Sequence, residues 1–177
     1  MLTVPTVQEY ASHFKPYIDL VAGDLIDTLC SNADRIVELL LELPEEKWDY
    51  RYAADKWTIK EAIGHLIDNE IIMVYRLIRI SRGDTTVLPG YDQEVLMAES
   101  PYPHFSPSNL IQYYKIVRQM TLTTLLGIPS EGWLRQGSIS GNIVSARALA
   151  YIIAGHEIHH LNVLQDKYGV NGWRNEA

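Results

Sequence analysis

Four stretches of this chain place apolar residues at steps of three and four, and no stretch of useful length alternates apolar with polar. That periodicity belongs to helices that bury one face. The first carries Leu25, Leu29, Ala33, Ile36, Val37, Leu40 and Leu41, with Asp24 as a capping residue and Pro44 as a stop. The second starts near Thr58, which precedes Glu61 at capping-box spacing. It continues through Ala62, Ile63, Leu66, Ile67, Ile71, Val74, Tyr75 and Ile78 and ends by Gly83. The third runs from about Pro107 to Leu126, with Ser106 before it and a stripe of Leu110, Tyr114, Val117, Thr121 and Leu125. The fourth runs from about Val144 to Tyr168 and closes at Gly169. Four such helices in 177 residues predict an all-α four-helix bundle, one domain over residues 1–177.

The connections have their own character. Residues 1–23 read as an irregular lead-in, broken by Pro5, Pro16 and Gly23, whose Tyr10, Phe14, Tyr17 and Ile18 can pack on the bundle. Residues 84–106 hold Pro89, Gly90, Pro101 and Pro103 and one helical turn near Gln93–Met97. Loops of that length are often functional. The long connections 44–56 and 84–106 leave room for a crossover. Residues 127–143 read as a further connection and 170–177 as a tail.

Composition narrows the function. Fifteen basic against 22 acidic residues give a net charge of -7, which disfavours electrostatic binding to nucleic acid or anionic lipid. Apolar residues at 47% and charged residues at 21% are those of a soluble globular protein. The single cysteine, Cys30, cannot form an internal disulfide and is expected to be a small buried hydrophobe. No basic stretch followed by an apolar run opens the chain, and no apolar run approaches the ~20 residues of a membrane span. The expectation is a cytoplasmic protein.

The chemistry concentrates in Gly155-His156-Glu157-Ile158-His159-His160. His156 and His160 lie one helical turn apart on the face of Leu149, Ile152, Ile153 and Val163, so both imidazoles point into the bundle. Buried imidazole needs a partner, and one metal ion satisfies two rings at once. His65 sits mid-helix in the second segment among Ala62, Leu66 and Ile72. Three neutral ligands with open positions form the pattern of a catalytic metal site. Such a set suits Zn, Ni, Fe or Cu without choosing among them. His159 falls about 60° from His156, on the side away from His160, and is expected to flank the site or face solvent. His13 and His104 are expected at the surface. Asp68, Glu70 and Glu157 are available behind the ligands or as a base, whereas Asp166 reads as a solvated helix charge.

The same segment fits H-E-x-x-H, in which Glu157 would be the general base of a zinc protease. The extended form of that motif needs glycine at 163, which is Val163. Only 17 residues follow His160, and no strand is expected to hold a peptide. A protease is disfavoured. No P-loop, G-x-S-x-G or dinucleotide fingerprint occurs, and Ser138 and Ser140 lie in a Gly-flanked loop without triad partners.

Two segments resemble one family. Lys56-Trp57-Thr58-Ile59-Lys60-Glu61-Ala62-Ile63-Gly64-His65-Leu66-Ile67-Asp68-Asn69-Glu70 resembles the second helix of the DinB-like (DinB/YfiT, damage-inducible) superfamily, and Ser145 to Leu161 resembles its last helix. Arg76 to Asp84, Leu88-Pro89-Gly90-Tyr91-Asp92 and Tyr17 to Val21 follow the same style, so the resemblance spans nearly the whole chain. It implies an up-down-down-up bundle, often a homodimer, with a divalent metal on three histidines. By position these are His65, His156 and His160, the set already reached from spacing. It further implies a small-molecule enzyme, such as a transferase that joins a low-molecular-weight thiol to an electrophile, or a hydrolase. In the thiol reading the metal holds the sulfur as thiolate, and Arg76, Arg82 or Arg147 would hold an anionic part of the thiol. Where some relatives place a further polar or charged group, one turn after the helix-two histidine, this chain has Asn69, which leaves water as the fourth ligand. The contrasting reading is a non-catalytic stress-response module whose metal ties two helices together. An open metal face separates the first reading from the closed site of the second.

Overall fold

The computed structural model describes residues 2–173. Four long helices form the body: α2 (Leu25–Glu42), α3 (Ile59–Ser81), α5 (Pro107–Leu126) and α7 (Ala146–Tyr168). Short helices α1 (Lys15–Ile18), α4 (Gln93–Ala98) and α6 (Ser130–Trp133) lie in the connections. The expected boundaries hold where the caps hold, but α7 begins at Ala146 rather than near Val144, which lies in a strand. The Asp24 carboxylate accepts the N–H groups of Ile26 and Asp27. Thr58 and Glu61 close a capping box, and Ser106 accepts from Asn109. Ser145 accepts from Ala148, and Gly169 ends α7 in the left-handed region at φ 69°.

The all-α expectation needs correction. Strands β1 (Val87–Leu88), β2 (Gln136–Ile139) and β3 (Asn142–Ser145) form a small sheet. β2 and β3 pair antiparallel, with Gln136 opposite Ser145 and Ile139 opposite Asn142, and β1 lies parallel to β2. Each strand is too short to show alternation. The hairpin is set by its two-residue turn, Ser140 and Gly141, both at positive φ (49° and 83°). The sheet spans two stretches that the sequence presents as loops, and the Ser140 N–H donates to Leu88 O to tie them together.

α2 and α3 each pack against both α5 and α7. Two clusters of buried residues fill the space between. One gathers Leu25 and Leu29, Val74 to Ile80, Leu125, and Leu149 to Ile153. The other gathers Ile36 and Leu40, Ile59 to Ile67, Leu110 to Val117, and Leu161 to Tyr168. The lead-in is seated on the bundle rather than loose. Arg147 donates to both oxygens of Glu9, Ser145 Oγ donates to the same carboxylate, and the Tyr151 hydroxyl donates to Leu2 O. A Cβ at Gly155 would run into the Tyr17 carbonyl, so α1 lies directly on the α7 backbone.

Cys30 is exposed, against the expectation of burial. It follows the buried Leu29 around α2 and falls outside the stripe. Val170 and Trp173 of the expected tail are buried. Residues 174–177 of that tail lie outside the described residues.

Candidate functional site

α3 and α7 carry His65, His156 and His160 to one place. Their ligand nitrogens all lie within 4.8 Å of one another. Ring centroids are 5.0 Å apart for His65 and His156, 4.8 Å for His65 and His160, and 4.5 Å for the two α7 histidines. The Nε2 atoms of His65 and His156 face each other at 3.1 Å. Two imidazole nitrogens bound about 2.1 Å from one tetrahedral ion stand about 3.4 Å apart, so this cluster fits a shared cation with little adjustment.

Burial sets the charge state of the cluster. Burial pulls the His65 pKa down to about 4. His160 falls to about 3 through burial and the neighbouring His65 and His159. His156 moves in the same direction, chiefly by burial. At neutral pH all three rings are therefore uncharged and offer lone pairs, which is the form that ligates metals. Trp57 packs at 4.7 Å on His65, and Tyr17 of the lead-in meets His156 edge-on at 5.6 Å. His159 is exposed and packs on Tyr17, while His13 and His104 are exposed, as expected.

Cavities open on two sides of the cluster. One of about 760 Å³ is lined by His156, Asn69, Arg76, Tyr91 and Ser140, with His13 at its wall. Another of about 410 Å³ is lined by His160, Trp57, Lys56, Tyr52 and Tyr168. Gln93 of α4 lines both, so the short helix in the 84–106 connection walls the site from both sides.

The carboxylates suggested as base or outer partners stand elsewhere. Glu157 and Glu70 are buried on a different face, each bonded to Arg118 of α5. The Tyr114 hydroxyl donates to Glu157 at 2.7 Å, Asn32 donates to it at 3.2 Å, and Thr121 donates to Glu70 at 2.6 Å. The H-E-x-x-H glutamate is thus held by an arginine rather than turned to the histidines. Asp68 accepts the Tyr102 hydroxyl at 2.5 Å, and burial raises its pKa. Of the three arginines, Arg76 is buried at the large cavity, Arg147 bonds Glu9 and Thr3, and Arg82 is exposed at the end of α3. Asn69 donates to the Tyr91 hydroxyl at 2.8 Å.

The sequence reading did not single out Tyr91, Gln93 or the Arg118 cluster. Arg118 had left a signal: it lies one turn after Tyr114 and three residues before Thr121, both in the apolar stripe. Tyr91 sits in a loop and Gln93 opens the six-residue helix α4, where spacing carries little directional information.

A model of the DinB superfamily matches residues 29–164, a span that includes all three histidines. The chain belongs to the DinB superfamily. Solved DinB-type structures show the same fold at low identity. YfiT from Bacillus subtilis, described as a probable metal-dependent hydrolase with an unusual four-helix bundle topology, is 16% identical with a TM-score of 0.70. That match covers 82% of this chain and 86% of YfiT. The mycothiol-dependent maleylpyruvate isomerase is 14% identical with a TM-score of 0.65, covering 87% of this chain and 67% of that one. A DinB-like protein from Bacillus subtilis, YjoA, is 17% identical with a TM-score of 0.60, covering 83% and 91%. No curated protein sequence matches this DinB chain. No helix among its described residues is long and apolar enough to cross a membrane.

Proposed function

We propose that this protein is a divalent-metal-dependent enzyme acting on a small molecule, by thiol S-transfer or hydrolysis, with His65, His156 and His160 as the metal ligands. One observation carries the reading: three uncharged imidazoles, two buried and that of His160 half-buried, converge on one point that two cavities reach. The metal, of the Zn, Ni, Fe or Cu class, would supply Lewis acidity, holding a thiol as thiolate or lowering the pKa of water. Around it the chain does three things. Trp57 and Tyr17 fix the imidazole planes by packing on them. Burial keeps the rings unprotonated. The cavities admit ligands from either side of the cluster, as transfer between two reactants requires. Names of the structural neighbours are consistent with both chemistries, one being called a "probable metal-dependent hydrolase" and another a mycothiol-dependent maleylpyruvate isomerase.

The open approach disfavours a purely structural metal, which is usually closed by four protein ligands. Glu157, Glu70 and Asp68 each have another partner, so none of them stands as a free carboxylate base at the histidine cluster. The reading includes one cytoplasmic domain of up-down-down-up order. The two core clusters support that order, since each joins the start of α3 or α5 to the end of α2 and α7, or the reverse. It also includes a homodimer, which light scattering tests.

Metal content of the untagged protein, by mass spectrometry, tests the site. About one equivalent is expected in the native chain and none in His156→Ala. A folded native chain that holds no metal and takes up neither Zn nor Ni would overturn the enzyme reading. Activity then follows from pairing thiols with electrophiles, and the metal-free protein is expected to be inert.

A further inference from the structure

Arg76 is only 5% exposed and has no carboxylate partner among the described residues. Its Nη2 donates to the Pro89 carbonyl at 2.7 Å and its Nη1 meets the Met73 sulfur at 3.5 Å. The guanidinium lies 5.5 Å from the centre of the Tyr91 ring. All of these partners are neutral. A guanidinium has five N–H groups, so most of its donors remain for a ligand. A buried cation without a counter-charge is unfavourable, and an anion in the adjoining cavity relieves it.

The neighbours are arranged as donors too. Asn69 gives an amide hydrogen to the Tyr91 oxygen. The Tyr91 hydroxyl, its oxygen already accepting, is left to donate its own proton. Both residues line the cavity that Arg76 and His156 share. We infer that Arg76, with Tyr91 and Asn69 behind it, forms a carboxylate-binding subsite, and that the substrate of this protein is an elongated small molecule with a single carboxylate. This inference rests on the metal-enzyme reading for the word substrate, though not for the binding site itself.

Charge and geometry choose the ligand class. One guanidinium balances one negative charge. Asp92 also lines the cavity, its side chain accepting from Glu94 and Val95, so a phosphate dianion would be left with excess negative charge. The planar fork of arginine matches a carboxylate through two parallel bonds. His65 and Arg76 are eleven residues apart on α3, about 16 Å along its axis, and helix side chains lean toward the N-terminus. A ligand anchored at Arg76 must therefore extend along the cavity to reach His156.

Titration of the metal-free full-length protein with hexanoate, hexan-1-ol and inorganic phosphate tests this directly, read by calorimetry and melting temperature. Hexanoate is expected to bind and raise the melting temperature, with the alcohol and phosphate about tenfold weaker or more. Arg76→Gln is expected to lose about tenfold or more in hexanoate affinity while melting at the same or a higher temperature, because an unpaired buried charge is gone. Tyr91→Phe is expected to lose a smaller part. Equal binding of hexanoate and hexan-1-ol, a preference for phosphate, or affinity unchanged in Arg76→Gln would overturn the proposal. The native-chain titration decides even if a variant fails to fold. His65→Ala separates the two readings: it should lose metal and keep the carboxylate affinity.

Discussion

Two arginines are buried among the described residues, and they are opposites. Arg118, 2% exposed, spends its N–H groups on Glu70, Glu157 and the Leu29 carbonyl. Its partners come from α2, α3 and α7, and Tyr114, Thr121 and Asn32 fill the remaining acceptor positions of the carboxylates. Burial works against its charge, but Glu157 and Glu70 hold its pKa above the usual arginine value. Arg76, nearly as buried, has neutral partners and a cavity in front of it. The histidine cluster also meets cavities, with the Nε2 atoms of His65 and His156 3.1 Å apart. A polar group that the fold completes is structural, whereas one that the fold leaves incomplete beside a cavity awaits a ligand.

The largest effect is expected at the completed cluster. Arg118→Met leaves two carboxylates buried together without their counter-charge and should destabilise the protein by about 3–5 kcal/mol. Urea denaturation reads this. A loss under about 1 kcal/mol would show that the cluster is not the anchor described here.

Acid titration separates the regions by pH window. In the metal-free protein, folded His65 resists protonation down to about 4 while the unfolded ring protonates at 6.5. The unfolded state therefore binds more protons below 6.5, and stability falls as pH drops from there toward 4. The shift corresponds to about 3 kcal/mol from His65 alone. Glu9 behaves differently. Burial raises its carboxyl, but the bonds from Arg147, Thr6 and Ser145 outweigh this and lower it from 4.5 to about 2. Its contribution is complete above pH 4.5 and is lost as pH falls through 2. Denaturation curves at a series of pH values, with chelator present, should show the upper stage shrink in His65→Ala, with His156 and His160 keeping the rest of it, and the lower stage shrink in Glu9→Gln.

A smaller effect tests how the cavity wall is held. Gly155→Ala forces the α7 backbone away from Tyr17 and should destabilise by about 1–3 kcal/mol. Proteolysis should then cut the lead-in faster than in the native chain, because Tyr17 of that wall rests directly on the α7 backbone. The smallest effect is expected at Cys30, exposed on α2, where Cys30→Ser should change stability by less than about 0.5 kcal/mol.

Local rules carried most of the helical frame. Asp24, Thr58 with Glu61, Ser106 and Gly169 act within one turn of themselves, so their meaning survives without tertiary knowledge. The i, i+4 spacing of His156 and His160 is equally local, and His65 stood out as a polar residue on an apolar face. The sheet was not legible for a different reason. β1 is two residues long and its Val87 pairs with Ser138, 51 positions further on. No local pattern encodes such a pairing. Cys30 was misplaced because its apolar neighbours suggested burial, while the helical phase turned it outward.

The sequence by itself determined, to within a residue or two, where the long helices start and stop and that His156 and His160 share one face, because capping and helical periodicity act over a few residues. Only the tertiary structure decided the fate of the charges. Glu157, next to His156 in sequence, turns to Arg118, and Arg76, one charge among fifteen basic residues, turns to a cavity with no carboxylate bonded to it. Whether a buried charge is matched depends on what other helices bring within about 4 Å, and that is a property of packing that no spacing along one helix contains.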